Sequence, residues 1–215
     1  MANLKELRSR ITSVSSTMQI TSAMKMVSAA KLSKAQDAIT AMRPYAEKLS
    51  ELLQNLSATL DSDQSSKYAE QRDVNNVLIV AISSNRGLAG AFNSNIVKAV
   101  KQLAAEDYNG KNVEVMTIGK KANDILSKTF NVYKNENGIY DDLSYDNVAE
   151  IAEDLMKQFV DGKYDRIVVV YNQFKNAATQ IVMREQFLPI SPVETDEEVV
   201  LDYIFEPTKE EIVLE

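Results

Sequence analysis

Apolar residues in the first 60 positions recur at alternating spacings of three and four, as in a coiled-coil helix. The stripe drifts around the helix between positions 20 and 27 and then resumes in its original frame. Its members are Leu4, Leu7, Ile11, Val14, Met18, Leu32, Ala35, Ile39, Met42, Ala46, Leu49, Leu53, Leu56 and Leu60. Asn3 can cap this helix, and the Glu6 side chain can accept from the backbone N–H of Asn3 in return, as in a capping box. We predict one helix over about Asn3 to Leu60, bent or strained near Pro44.

The length of this helix indicates a partner. Fifty-six residues at 1.5 Å each make a rod of roughly 84 Å, whereas a body of about 150 residues is roughly 40 Å across. Half of the rod would project beyond the body, and its apolar seam would need a second helix to cover it. The alternative is an amphipathic helix that lies on the core of the body, which is normally the commoner case.

The chain beyond residue 75 alternates between strand-like and helix-like patterns. Val77–Ile82 is a continuous apolar run, typical of a parallel strand that is buried on both faces. Further strands are predicted at Val113–Ile118, Arg166–Phe174 and Thr179–Ile190, and helices at Asn93–Ala105, Gly119–Phe130 and Asp146–Val160, the last opened by Asp146. This alternation indicates an α/β sandwich. A turn at Lys175–Ala177 suggests an antiparallel edge strand.

These patterns predict four parts. Residues 1–60 are a coiled-coil shaft helix, 61–75 a polar linker, 76–206 a globular domain, and 207–215 the start of another helix. The predicted fold class is α/β, a long N-terminal coiled-coil helix plus a Rossmann-like domain with a largely parallel sheet.

Composition removes most catalytic chemistry. The 215 residues include no His and no Cys, which excludes an imidazole base, a thiolate nucleophile and a thiolate metal site. The net charge of −7 conceals an asymmetry, because residues 1–48 carry eight basic and three acidic side chains. A basic arm favours an acidic partner, although its charges are sparse for nucleic acid. No apolar run reaches 18 residues and no signal peptide is recognisable, so membrane association would go through a partner.

Two segments could carry chemistry. The turn Arg86–Gly90 follows a strand and precedes a helix, where phosphate-binding loops occur, and Ser83 and Ser84 add hydroxyls. Its two glycines are three residues apart and match neither the GxGxxG nor the GxxxxGK(S/T) spacing of phosphate-binding loops. A structural turn is therefore favoured over a nucleotide site. The carboxylates Asp141, Asp142, Asp146 and Glu150 fit no calcium loop, and helix capping or a solvated face is favoured. We predict no cofactor and no metal.

Four blocks match a known family in order and spacing. They are MANLKELRSRITSVSSTMQITSAMKMVSAAKLSKAQ, RPYAEKL, SSNRGLAGAFN after an apolar strand, and DYIFEP. The sequence closely resembles the γ-subunit family of bacterial F-type ATP synthases, over essentially the whole chain. This resemblance implies a non-catalytic rotor shaft on the cytoplasmic face of the bacterial inner membrane. It implies α, β and ε subunits and a c-subunit ring as partners, and rotation that drives the β sites through different nucleotide affinities.

The resemblance also implies contact residues. Met24 and Lys25 fall where the family shaft meets an acidic loop of β, and Arg8 and Arg10 fall near the α/β collar. Tyr203 and Glu206 fall at the foot, where the family touches ε and the c ring. Family members continue with a second shaft helix, so we expect a fragment, an incomplete gene model or a truncated form. Alone, this chain should expose the Leu4–Leu32 stripe, and we predict that it self-associates or is insoluble.

Two other functions remain open from the residues alone. A nucleotide-binding α/β protein with a dimerising arm would bind nucleotide at Arg86–Gly90 and lose it on Arg86→Ala. A coiled-coil adaptor for an acidic protein would form a stable homodimer through residues 4–60.

Overall fold

The computed structural model describes residues 3–59 and 67–190. The chain separates into two compact units, residues 1–52 and 53–215. In chain order the elements are α1 (Leu4–Thr59), β1 (Asn76–Ile82), α2 (Phe92–Glu106), β2 (Asn112–Ile118), α3 (Lys120–Leu126), β3 (Asn131–Asn135), a 3-10 turn (Gly138–Tyr140), α4 (Tyr145–Val160), β4 (Arg166–Asn176) and β5 (Thr179–Leu188).

Helix α1 accounts for the first unit from Leu4 to Leu52 and continues to Thr59, and it runs on through Pro44. Asn3 caps it, since its side-chain oxygen accepts a hydrogen bond from the backbone N–H of Lys5 at 3.1 Å. Glu6 does not reciprocate as predicted. Its carboxylate instead pairs with Arg10 one turn later, at 2.6 Å, because residues four apart face each other along a helix.

The second unit contains a five-stranded sheet in the order β3-β2-β1-β4-β5. The first four strands are parallel and β5 runs antiparallel to β4. This confirms the predicted α/β class and the antiparallel edge. The hairpin turn lies one residue later than predicted, at Ala177–Ala178. Asn176 closes it by accepting hydrogen bonds from the N–H groups of Ala178 and Thr179.

Strand β1 explains why its sequence is apolar throughout. Val77 and Ile79 point to one face, where they pack with α2 and α3, and Leu78 and Val80 point to the other face, which α4 covers. All four residues are at most 1% exposed. A strand buried on both faces has no polar alternation, which is how the sequence identified it.

Two predictions about helices were wrong. The helix expected over Gly119–Phe130 ends at Leu126, and β3 follows, which the sequence analysis missed. Phe130 lies after the turn at residues 127–129, which connects α3 to β3, and its side chain packs against the core. Helix α4 is capped by Ser144, whose hydroxyl accepts from the N–H of Asn147, whereas the prediction gave this position to Asp146.

Candidate functional site

Helix α1 exposes its side chains to solvent. Between Leu4 and Leu52 none is buried. The large apolar side chains from Leu4 to Leu49 are 41–73% exposed, the least exposed being Ile39 and the most exposed Leu4, and Leu52 is half-buried. Soluble proteins rarely expose a contiguous apolar surface unless it contacts something else. The predicted stripe is therefore a candidate contact surface, within the part of α1 whose side chains are described.

One face of α1 combines apolar groups with a cation. A shallow groove along this face is lined by Val14, Thr17, Met18, Thr21, Ser22 and Lys25. Thr17 and Thr21 donate their hydroxyls to backbone carbonyls one turn earlier, at 2.9 and 2.8 Å. The hydroxyls of both threonines are thus engaged with the helix itself, so this face offers mainly carbon surface, the Ser22 hydroxyl and one ammonium group.

The residues that the resemblance assigned to contacts on α1 are all exposed. Met24 is 64% exposed, and Arg8, Arg10 and Lys25 also lie in solvent. Arg10 is already paired with Glu6. Their contact roles stay predictions, and Tyr203 and Glu206 lie outside the described residues.

The loop after β1 is held firmly at its base. Tyr140 donates its hydroxyl to the carbonyl of Ser83 at 2.7 Å. Asn93 accepts from the N–H of Ser84 at 3.0 Å, and Asn85 donates to the carbonyl of Asn137 at 2.7 Å. These bonds join the loop to α2 and to the segment after β3. Burial raises the pKa of Tyr140 above its ordinary value.

The tip of this loop presents a leucine to solvent. Leu88 is fully exposed and has a backbone φ of 60°. This left-handed conformation costs a non-glycine residue about 1 kcal/mol, and such strain is concentrated at functional sites. No sequence pattern singled out Leu88 within the Arg86–Gly90 turn. The available signal was an apolar residue between two glycines in a loop at the end of a parallel strand.

The contacts of this loop favour a structural turn over a nucleotide site. A cleft of about 380 Å³ is lined by Ser83, Ser84, Asn85, Arg86, Phe92 and Tyr140. The hydroxyl of Ser83 accepts from the N–H of Ala122 at 2.9 Å, and that of Ser84 donates to the carbonyl of Arg86 at 2.7 Å. Both hydroxyls that a phosphate could use are therefore engaged with the protein.

The acidic segment before α4 serves the helix start. Asn147 donates to the backbone and carboxylate oxygens of Asp142, at 2.9 and 3.1 Å. No group of three or more acidic side chains placed to hold a metal occurs in residues 3–59 and 67–190. Nor does any helix in those ranges have the length and hydropathy to cross a membrane.

A tyrosine–carboxylate cluster joins β2, β3, α4 and the loop before β4. Tyr164 donates to Glu114, and Tyr133 donates to Asp154 at 3.1 Å. The ammonium group of Lys163 lies 4.0 Å from the ring centre of Tyr133. Burial raises the pKa of both phenols, and the hydrogen-bonded carboxylates raise it further. The cluster fastens one edge of the sheet.

Fold and exposed surfaces together define an α/β protein with a long exposed helix, and comparisons with known proteins agree. The ATP synthase family profile matches residues 3–215. The ATP synthase gamma chain of Christiangramia forsetii is 72% identical over 99% of this chain and 74% of the relative. The chain belongs to the ATP synthase gamma chain family.

Solved structures show the same relationship. The central stalk and c-ring structure of Tetrahymena thermophila mitochondrial ATP synthase is similar with a TM-score of 0.60 and 29% identity, over 79% of this chain and 72% of that one. The rotor of Euglena gracilis mitochondrial ATP synthase is similar with a TM-score of 0.58 and 25% identity, over 83% and 60%.

Proposed function

We propose that the chain is the central-stalk subunit of a bacterial ATP synthase, which couples proton-driven rotation of a c-subunit ring to conformational changes in the catalytic β subunits. Its family membership and the similarity to a central stalk and a rotor support this function. In this role the subunit transmits force and the catalytic residues belong to β. It is attached to the cytoplasmic face of the membrane through its partners.

The observation that carries this proposal is the exposure of α1. The large apolar side chains of α1 lie in solvent from Leu4 to Leu49, and a helix has no reason to carry such a stripe unless another surface meets it. The groove that ends in Lys25 suits a partner that offers apolar side chains beside a carboxylate. The α and β subunits are the proposed partners of this helix. The exposed Leu88, on the loop after β1, is a second site at which we propose that the chain contacts a partner. The ε subunit and the c ring are the proposed partners of the foot.

Charge reversal on α1 tests the proposal. Lys25→Glu places like charges together at the proposed contact with the acidic loop of β, whereas Lys98→Glu makes the same change at an exposed position of α2. Each variant is produced with the α, β and ε subunits in a strain that lacks its own gamma chain. We expect Lys25→Glu to weaken association with α and β about tenfold, equivalent to roughly 1.4 kcal/mol, and Lys98→Glu to leave it unchanged.

Two results would defeat this proposal. The first is that the unaltered chain fails to co-purify with α and β. The second is that deletion of its gene leaves ATP-driven proton pumping by the membranes intact. An equal loss of association in both lysine variants would show that the loss depends on net charge alone. Lys25 would then not be at the contact.

A further inference from the structure

The first and the last described segments of the sheet unit lie side by side. Lys67 is the first described residue after α1 and Ile190 is the last described residue of the sheet unit. The backbone N–H of Ile190 donates to the carbonyl of Tyr68 at 2.9 Å. Tyr68 and Ile190 both pack against the core cluster that contains Phe159. We call residues 67–72 and 188–190 the neck.

Arg72 fastens the neck to the end of helix α4. Its Nη1 donates to the carbonyl oxygen of Phe159 at 2.8 Å, and its guanidinium lies 4.8 Å from the centre of the Phe159 ring. Phe159 is fully buried in the last turn of α4. A cation at the C-terminal end of a helix is favoured by the helix dipole. The Phe159 carbonyl oxygen also accepts from the N–H of Gly162 at 3.0 Å, and a carbonyl oxygen has two lone pairs, so it can serve both donors.

Other contacts orient this arginine and extend the attachment. Glu70 accepts from Nε of Arg72 at 3.0 Å and also pairs with its Nη2, and the Arg72 side chain is only 22% exposed. Asn75 and Asn76 follow Arg72 in the same segment. Their backbone N–H groups donate to the carboxylate of Asp165, at 2.9 and 2.8 Å. The incoming segment has no helix or strand between 67 and 75, so these side chains fix its path.

We propose that Arg72 is a positioning residue for torque transmission: it clamps the neck to α4, so that force applied to the sheet reaches both neck segments together. This inference rests on the proposed function. The fork geometry of arginine explains the residue type. One guanidinium directs Nη1 to the carbonyl and Nε and Nη2 to the carboxylate while it lies near the ring, and an ammonium group has no such planar fork.

Arg72→Met tests the clamp, because it keeps an unbranched stem and removes every polar contact. Arg184→Met is the matched control, since it also removes one cation from the sheet unit and breaks a 2.8 Å bond to Gln102. Inverted membrane vesicles that carry the complete ATP synthase are assayed for ATP hydrolysis and ATP-driven proton pumping. We expect pumping per ATP hydrolysed to fall about twofold or more in Arg72→Met, to be unchanged in Arg184→Met, and to be intermediate in Arg72→Lys.

The ratio separates a positioning role from a stabilising one. Lower stability alone would reduce the amount of assembled enzyme and leave pumping per ATP unchanged. If Arg72→Met yields no assembled enzyme, Arg72→Lys decides: a reduced ratio supports the clamp, and a wild-type ratio overturns it. A wild-type ratio in assembled Arg72→Met enzyme also overturns it, and leaves the proposed function intact. Pumping that does not require this chain at all defeats the proposed function instead.

Discussion

Two isoleucines, Ile11 and Ile79, lie in regions of the molecule that differ in how far they bury apolar side chains. Ile11 lies on α1 and is 68% exposed, whereas Ile79 lies on β1 and is completely buried. The sheet unit encloses its apolar residues in two core clusters of its own. Helix α1 encloses none of those described and is organised by local bonds such as that between Glu6 and Arg10. The apolar residues of the sheet form its cores, whereas those described on α1 are left exposed for the contact that we propose.

Truncating both isoleucines to alanine is the strongest way to break this comparison. Ile79→Ala leaves a cavity in the core and should lower the free energy of unfolding of the sheet unit by about 2–5 kcal/mol. Ile11→Ala removes an exposed side chain and should change it by less than about 0.5 kcal/mol. Urea unfolding followed by near-ultraviolet circular dichroism of tyrosine reports on the sheet unit, because Tyr45 is the only tyrosine in the first 60 residues.

The contrast would fail if Ile11→Ala destabilised the sheet unit as much as Ile79→Ala does. The apolar surface of α1 would then contribute to folding of the sheet unit. Helix content measured in the same samples is the control, and it should stay unchanged in Ile11→Ala because alanine is the best helix former.

The sequence predicted those elements whose pattern is set by burial. β1 was identified because burial on both faces removes polar alternation, and α1 because its seam repeats every 3.5 residues. β3 was missed because it is an edge strand of five residues, three of them polar or charged with Asn at each end, so that only Val132 and Tyr133 favour a strand. Its position is set by pairing with β2, which is a tertiary effect.

The candidate site was predictable only in part, for a related reason. The exposed stripe of α1 follows from its spacing, whereas the loop that carries Leu88 is anchored by bonds between distant residues. Tyr140 and Asn137 hold the loop base from more than 50 positions away. Arg72 lies in a segment that the sequence marks only as polar, and its partner Phe159 is 87 residues distant. No local pattern encodes such pairs.

A glycine pair tests how tightly the sheet unit is packed. Gly119 has a φ of 107°, and a Cβ there would lie 2.2 Å from the carbonyl oxygen of Ser83. Gly119→Ala must therefore push apart the ends of β1 and β2, and we expect a loss of about 1–3 kcal/mol in the same unfolding assay. Gly138→Ala is the control, because nothing lies within 4 Å of its Cβ position. Equal stabilities of the two variants would show that the ends of β1 and β2 can separate to accommodate a methyl group at no cost in free energy.

Alkaline pH gives the smallest and most specific test of the sheet unit. Burial raises the pKa of Tyr164, and its hydrogen bond to Glu114 raises it further, so the unfolded chain releases this proton at a lower pH than the folded chain. The stabilising effect is complete below about pH 10 and is lost as pH rises above it, because the unfolded state then binds fewer protons. The free energy of unfolding should fall by up to about 1.4 kcal/mol per pH unit for this group. Tyr164→Phe should reduce the loss between pH 9 and pH 11, whereas Tyr145→Phe, at a ring that is 86% exposed, should not. The same pH dependence in both variants would show that Tyr164 ionises as readily in the fold as in the unfolded chain.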